Sequence, residues 1–486
     1  MKSSHFSCTA KSPARHLPAW ALVVAMLAGC ATTAPKPPLA FTAPAQFKED
    51  GLWKRAAAPA TSVVPEAWWQ MFEDPVLDEL QRQLVIGNQN LQSALAQVAN
   101  ARAVLKASES ARLPTLSVGA TGTRAGSPVQ SAGSRVTATT YAMTANAAWE
   151  VDVWGRLSQA ASAAGAKYQA SQDDLAAARL SAQATLAQTY LAMRAAEAQQ
   201  AILERSAANN QRSLDLTQVR YTAGVAAQSD VLQAQTQLRA VQAQASESLL
   251  QRAQYEHAIA VLLGQSPSQV TIARTATLPA LPAVPALLPS TLLERRPDIA
   301  SAERKLAAAC AQVGVADAAF FPSLNLSANA GYRGASLDKL LSAPNLLWSL
   351  GPALAASIFD GGARQLASDQ ARASLDLATA AYRQTVLTAF QEVEDNLVAI
   401  NQLGVELELQ REALKSAQRN LEITQEQYKA GTVSFLNVAA AQTTALTAES
   451  SVLSLRNRQL AAANALLKNI GGRWSKEGRL SAASAL

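Results

Sequence analysis

The feature that most constrains this chain is that it is written twice. At a spacing of 207 residues, Tyr221, Ala223, Gly224, Val231, Ala234, Gln235 and Thr236 match Tyr428, Ala430, Gly431, Val438, Ala441, Gln442 and Thr443. At 208, Ala94, Pro114, Leu116, Asp152 and Arg156 match Ala302, Pro322, Leu324, Asp360 and Arg364. Matches of Ala and Gln count for little in a chain rich in both. The Tyr-x-Ala-Gly turns and the Pro-x-Leu starts carry the repeat, and a repeat of this length sets the fold before any other argument.

Each half reads as a helix, two strands, one very long helix, a tight turn and a returning helix. Asp74-Pro75 supplies an N-cap followed by proline at the first helical position, and the helix it opens is expected to run to about Arg112. Arg296-Pro297-Asp298 opens its counterpart. The period then changes to two. After Pro322, Leu324, Leu326, Ala328, Ala330 and Tyr332 alternate with Ser323, Asn325, Ser327 and Asn329, and Trp348, Leu350, Leu354, Ala356 and Ile358 continue the pattern. In the first half Leu116, Val118 and Ala120, then Tyr141, Met143, Ala145, Ala147, Trp149 and Val151, fall on one face. Four strands of about ten residues, apolar on one face and small and polar on the other, suit tilted strands between lipid and water. A half-buried hairpin in a soluble domain has the same alternation.

The long helices follow. No proline occurs from Val129 to Ser266 or from Ala353 to the end, as uninterrupted helices require. Leu387, Phe390, Val393, Leu397 and Ile400 recur in steps of three and four, a narrow seam that packs a helix on neighbouring helices. The expected division is a signal peptide at 1–29, a lipidated segment at 30–74 and a first repeat at 75–264. Within that repeat lie strands near 115–152, a long helix at 156–222 and a return helix at 227–263. A linker at 265–290 leads to the second repeat at 291–472, with strands near 322–360, a long helix at 363–429 and a return helix at 434–470, followed by a tail at 473–486.

Lys2, Lys11 and Arg15 precede a short apolar run from Trp20 to Ala28, well below the ~20 residues that span a bilayer as a helix. It ends in Leu27-Ala28-Gly29-Cys30, which resembles the bacterial lipobox: small residues let the chain enter a signal peptidase, and the Cys30 thiol takes the lipid. Ala31 follows, where an aspartate would favour the inner membrane. Cleavage before Cys30 removes 29 of 486 residues, leaves 457, and with three basic and no acidic residues lost takes the net charge from +6 to +3. That balance argues against nucleic acid as a partner. Cys8 leaves with the signal, so Cys310 is the one free thiol, read as a small buried residue on an Ala-rich helix. His5 and His16 also leave, and His257 stands alone. With no Cys/His spacing, Gly-rich phosphate loop or Ser-His-Asp set, neither enzyme, metal nor cofactor is expected, apart from the lipid on Cys30.

Four strands cannot close a barrel, and open edges do not survive in lipid. Two copies give eight strands, a barrel filled by its own side chains; three give twelve, wide enough for a lumen lined by Ser, Thr, Gly and Ala. The expected fold is therefore mainly α with a small membrane β part. Four transmembrane strands per chain make a 12-stranded β-barrel as a homotrimer, continued by a long α-helical barrel.

At this point the chain resembles the outer-membrane factors of tripartite efflux systems, in their lipoprotein branch. The resemblance rests on Leu293-Glu294-Arg295-Arg296-Pro297-Asp298-Ile299 with Ala302-Glu303, Val313-Gly314, Ala316 and Phe321-Pro322-Ser323-Leu324, on Trp68-Trp69 with Phe72, Asp74-Pro75 and Leu77-Asp78, and on the Tyr-x-Ala-Gly turns. It implies a trimeric duct in the outer membrane, docked on a periplasmic adaptor and an inner-membrane proton-driven pump that supplies the energy. The tips at Tyr221, Ala223 and Gly224, and at Tyr428, Ala430, Gly431 and Thr432, would then form the closed periplasmic entrance and meet the adaptor. Some members carry aspartates just after the second tip, where three copies make a constricting ring. Here those positions are Asn437 and Ala440, while Asp230 takes the matching place in the first repeat. The entrance is accordingly expected to rest on Tyr428 packing and helix-end hydrogen bonds, with less cation binding. Asp152 with Arg156, and Asp360 with Arg364, read as caps or ion pairs at the passage from strand to helix. Glu392, Glu394 and Asp395 read as an acidic lumen or a solvated face, and Arg295 and Arg296 as structural residues of the belt around the tunnel. Two rivals stay open: a coiled-coil envelope lipoprotein, and a duct for protein secretion.

Overall fold

The computed structural model describes Lys48 and residues 67–128, 135–283 and 296–470; the signal segment, Cys30, Glu294, Arg295 and the C-terminal tail lie outside the described residues. The chain divides into two compact units. One holds the sheet and falls within 102–167 and 306–378, and the other is helical and falls within 67–101, 168–305 and 379–470.

The sheet is antiparallel in the order β1 (Thr115–Pro128), β2 (Arg135–Val151), β3 (Ser323–Gly334), β4 (Leu346–Ala355). Three of the strands are longer than the ten residues expected, at 14, 17 and 12, and only β4 has 10. Register sorts the alternation into two faces. Leu116 lies opposite Ala147, which lies opposite Ala328, which lies opposite Leu350. Trp149 opposite Leu326, Met143 opposite Tyr332 and Ala330 opposite Trp348 extend the same apolar face. The other face carries Ser117, Asn146, Asn329 and Ser349 in one row, with the Asn329 amide donating to the Asn146 side-chain oxygen. The apolar face is bare in the single chain: Leu116 and Trp348 are each 75% exposed. Ala356 and Ile358, which the alternation assigned to the last strand, fall beyond its end. β3 begins at Ser323, opposite Ala355, so no residue of β3 remains to pair with them.

The helical unit forms where apolar stripes meet. A 3-10 turn, Trp68–Phe72, buries Trp68 and Phe72 against Leu77 and Leu84 of α1 (Pro75–Gly87). The same cluster takes Leu186, Tyr190 and Met193 of α3 (Arg156–Thr222), Ile259 of α4 (Gln228–Leu262), Ile299 of α5 (Pro297–Ala318), Val386, Val393 and Leu397 of α6 (Ala363–Lys429) and Leu467 of α7 (Phe435–Ile470). The α6 seam packs as expected at Phe390, Val393, Leu397 and Ile400 and departs only at its first residue. Leu387 is exposed, and Val386 and Ala389 complete the buried stripe with Val393 and Leu397, because residue 387 lies ~100° further round the helix.

The helix expected to run from Pro75 to about Arg112 is two. α1 ends at Gly87 and α2 (Gln89–Ser110) begins after Asn88. Asn88 does both jobs of the break: its amide donates to Leu84 O, and its side-chain oxygen accepts the Leu91 amide as an N-cap. Its side-chain amide also donates to Leu262 O at 2.7 Å, at the end of α4. There Gly87 and Gly264 bring two backbones face to face. A β-carbon on Gly87 would lie 2.1 Å from Leu263 O, and one on Gly264 would lie 2.0 Å from Gly87 O.

The segment after α4 is fastened by charges. Arg194 donates to Glu197 at 2.7 Å and to Ala273 O at 2.8 Å, while Arg252 donates to Glu197 at 2.9 Å, Glu256 at 2.8 Å and Ile272 O at 2.6 Å. Arg194 and Glu197 are 2% and 5% exposed, so each charge depends on the others for solvation. Arg296 forms a fork onto Asp298 at 3.0 and 2.6 Å and reaches Glu392 at 2.9 Å, which ties the start of α5 to α6. Glu392 thus anchors Arg296, while Glu394 accepts the Lys48 amide at 2.6 Å and Asp395 the Gln391 side chain at 3.3 Å. Cys310 is buried on α5, and burial pushes its thiol up. We expect Glu197→Gln to lower stability by about 3–5 kcal/mol, because it takes the paired carboxylate from buried Arg194 and leaves Arg252 with Glu256 alone. Thermal unfolding of the detergent-solubilised protein reads this, and a wild-type midpoint would show that water reaches the cluster.

Candidate functional site: the hairpin tips and the strand–helix junctions

Both tips end their long helices in the same backbone device. At the first, Val225 N–H donates to Arg220 O and Gly224 N–H to Tyr221 O; at the second, Thr432 N–H donates to Gln427 O and Gly431 N–H to Tyr428 O. This is the Schellman arrangement, and it needs the left-handed residue that Gly224 (φ 74°) and Gly431 (φ 79°) supply. The turn residues are the same; the tyrosines are not used the same way. Tyr221 is 40% exposed and Tyr428 is 4% exposed.

Tyr428 is held on three sides. Its ring meets Phe435 edge-on at 5.7 Å, within an apolar cluster with Ala234, Val438 and Ala439. Its hydroxyl bonds Thr217 Oγ1 at 3.0 Å. The Arg220 guanidinium lies 4.8 Å over the ring and donates to Tyr428 O at 2.7 Å and more weakly to Lys429 O at 3.4 Å. The last carbonyls of α6 lack helical partners and carry the negative end of the helix dipole, so a cation from α3 is well matched to them. Asp230 is half-buried, and Asn437, Ala440, Ala223, Ala430 and Thr432 are exposed around the tips. Thr217, Arg220 and Phe435 were not singled out from sequence. Thr217 has a repeat partner in Thr424, but Arg220 corresponds to Gln427, so a search for repeated residues passes over it.

The junctions differ between the halves in the same manner. Asp152 caps α3: it accepts the Leu157 and Ser158 amides at 2.9 and 2.7 Å and the Ser158 hydroxyl at 2.6 Å. Arg156 does not pair with it, but forms a fork onto Glu150 at 2.7–3.1 Å. In the second half Asp360 accepts the Gly362 amide at 3.0 Å and pairs with Arg364 at 2.5 Å. The residues 207 and 208 after Glu150 are Ser357 and Ile358, so Arg364 has no other carboxylate at that place. Trp154 stacks on Phe321 at 4.9 Å and donates to Pro322 O at 2.6 Å, closing the first junction onto the start of β3.

No group of acidic, histidine or cysteine side chains suited to a metal ion occurs among the described residues, and no described helix is long and apolar enough to cross a membrane. The groove between α3, α4 and α7 is lined by amides and hydroxyls, including Gln199, Gln237, Thr443 and Ser450.

Two outcomes test this geometry. Arg220→Ala should speed amide exchange at 428–432 by about tenfold or more, since a hydrogen bond from a charged group is worth ~1.5–3 kcal/mol. Arg220→Lys should recover only part of the protection, lacking the planar fork; unchanged exchange would mean that Phe435 packing and the Thr217 bond fix Tyr428 without Arg220. The second outcome is a pH dependence. Burial raises the Asp152 carboxyl, but bonds from the Ser158 hydroxyl and the two amides outweigh it and leave the group below its ordinary value. A depressed pKa stabilises above the unfolded value near ~4 and loses that contribution as pH falls through the folded value. Asp152→Asn turns one of the two accepting oxygens into a donor, so that a hydrogen bond from Leu157 or Ser158 is lost; it should therefore cost about 1–3 kcal/mol at neutral pH, with the gap to wild type closing below pH ~3. An equal gap at every pH would show that the cap works without its charge.

The family model described as outer membrane efflux protein matches this chain twice, at residues 80–265 and 288–472. The antibiotic efflux pump outer membrane protein ArpC of Pseudomonas putida is 29% identical over 94% of this chain and 95% of its own length. The outer membrane protein OprJ of Pseudomonas aeruginosa is 31% identical over 94% of this chain and 96% of its own. Among solved structures, the outer-membrane channel OprN superposes with a TM-score of 0.85 at 29% identity, over 91% of this chain and 99% of that one. A mostly helical chain with one small exposed sheet, matched across nearly its whole length by such channels, belongs to the outer membrane efflux protein family.

Proposed function

We propose that this protein is the passive outer-membrane channel of a tripartite efflux pump. Three copies close a twelve-stranded barrel whose apolar face meets lipid and whose Ser, Thr, Asn and Gly face lines the lumen, and the long helices form the periplasmic part. The observation that carries this reading is a four-stranded sheet with its apolar face bare and both edges open, in a chain of this family. A structural spacer has no use for such a sheet. A lipid on Cys30 anchors the chain, and no cofactor takes part. A periplasmic adaptor meets the hairpin tips, and a proton-driven inner-membrane pump supplies the energy. The cargo is small organic molecules of the kind that name the relatives, antibiotics and solvents, with selectivity set at the pump.

The tips form the closed entrance, and Arg220 with Tyr428 fastens one hairpin to the other. Asn437 and Ala440 leave no acidic ring below the second tip. Single-channel recording of the lipidated protein in a planar bilayer, beside its native mass, tests both points. Expected is a trimer with small or flickering conductance, several-fold enlarged in Arg220→Ala or Tyr428→Ala, and little affected by divalent cations. A stable monomer without conductance overturns the channel reading. Strong block by low concentrations of divalent cations overturns the uncharged entrance alone.

A further inference from the structure

We infer the register of the seam between copies: β4 of one copy pairs antiparallel with β1 of the next so that Ile358 lies opposite Leu116 and Trp348 opposite Gly126. This rests on the trimeric reading above and goes beyond it, because a trimer as such fixes no register.

The argument needs only the repeat and the pairings within one chain. β1 maps onto β3 by 208 residues, as Pro114 onto Pro322 and Leu116 onto Leu324 show. Leu116 lies opposite Ala147, and Leu324 lies opposite Leu354, so β2 maps onto β4 by 207. The β2–β3 joint is where the second strand of one repeat meets the first strand of the other. A seam between copies poses the same problem one repeat further on. Shifting the β2–β3 pairs by those two offsets turns Val151 opposite Leu324 into Ile358 opposite Leu116, and Tyr141 opposite Gly334 into Trp348 opposite Gly126.

Three features of the chain agree with this register and with no slip by one residue. Leu116, Val118 and Ala120 meet Ile358, Ala356 and Leu354, apolar against apolar; a slip of one sets them against the polar face. A glycine lies opposite an aromatic residue in register at the matching rung of both joints, Gly334 opposite Tyr141 and, in the proposed seam, Gly126 opposite Trp348. The side chains the seam would bring together are the ones left bare in the single chain, with Ile358 98%, Leu116 75% and Val118 69% exposed. The seam also makes β4 longer. Ala356–Ile358 lie outside the strand here and join it once the next copy's β1 arrives, so that the seam from Trp348 to Ile358 matches the eleven-rung span of the β2–β3 joint.

The test is disulfide trapping between copies in the full-length lipidated protein carrying Cys310→Ala. Two in-register pairs are made, Thr121→Cys with Ala353→Cys on the polar face and Ala120→Cys with Leu354→Cys on the apolar face. Opposed pairs alternate between close and wide, so one of the two faces carries the close kind. Expected is rapid oxidation of at least one pair to covalent trimer, and at least tenfold slower linkage for the slipped pairs Thr121→Cys with Ala355→Cys and Thr121→Cys with Gly351→Cys. Faster linkage in a slipped pair, or a native trimer with no linkage in any pair, overturns the register and leaves the channel reading standing. A monomeric native mass overturns both. A readout without variants follows amide exchange in the wild-type trimer: Ala356–Ile358 should be slow, and fast exchange there overturns the lengthened strand.

Discussion

Backbone amides and carbonyls that face hydrocarbon must find partners in protein, and the sheet described here leaves two rows of them open, along β1 and along β4. Much else in the molecule is arranged around that constraint. The apolar residues of the sheet do not build an internal core; they are spread over one face and left bare. The burial that stabilises the single chain is carried by the helical unit, where Trp68, Tyr190, Val386 and Leu467 meet. The Gly87–Gly264 contact and the Arg194–Glu197–Arg252 cluster lie in that unit too.

The two halves have kept their backbone devices and changed their side-chain fastenings. Both tips are the same glycine-terminated turn, yet one tyrosine is exposed and the other is enclosed by Phe435, Thr217 and Arg220. Both junctions have an aspartate that accepts amides at the start of the long helix, yet only the second also holds the arginine four residues on. The shared backbone device needs a left-handed φ that glycine takes without strain, whereas a charged contact can be made with whichever carboxylate is near.

Much of this was legible in the chain itself. Proline-free spans, the period-two runs and the Asp74-Pro75 start all rest on local chemistry that sequence displays directly. What escaped was set by long-range contact. The break at Asn88 exists because Leu262 O lies within reach of its amide, and no local signal announces that. Leu387 and Val386 are equally apolar, and only the neighbouring helices decide which faces inward. Arg220 was hidden for a different reason: the repeat directs attention to residues that recur, and this one acts because its counterpart, Gln427, is different.

The Arg220 contact has a consequence for how such a protein can change over generations. Two of its partners on α6 are main-chain oxygens, of Tyr428 and Lys429, which every residue at those positions would present. Substitution at Lys429 leaves them in place, and only loss of the Tyr428 ring removes anything from that side. The strength of the fastening is therefore adjustable almost entirely from the first half of the chain, at one codon. The two tips are in this way lopsided in what mutation can reach: the second carries the groups that are gripped, and the first carries the means of varying the grip.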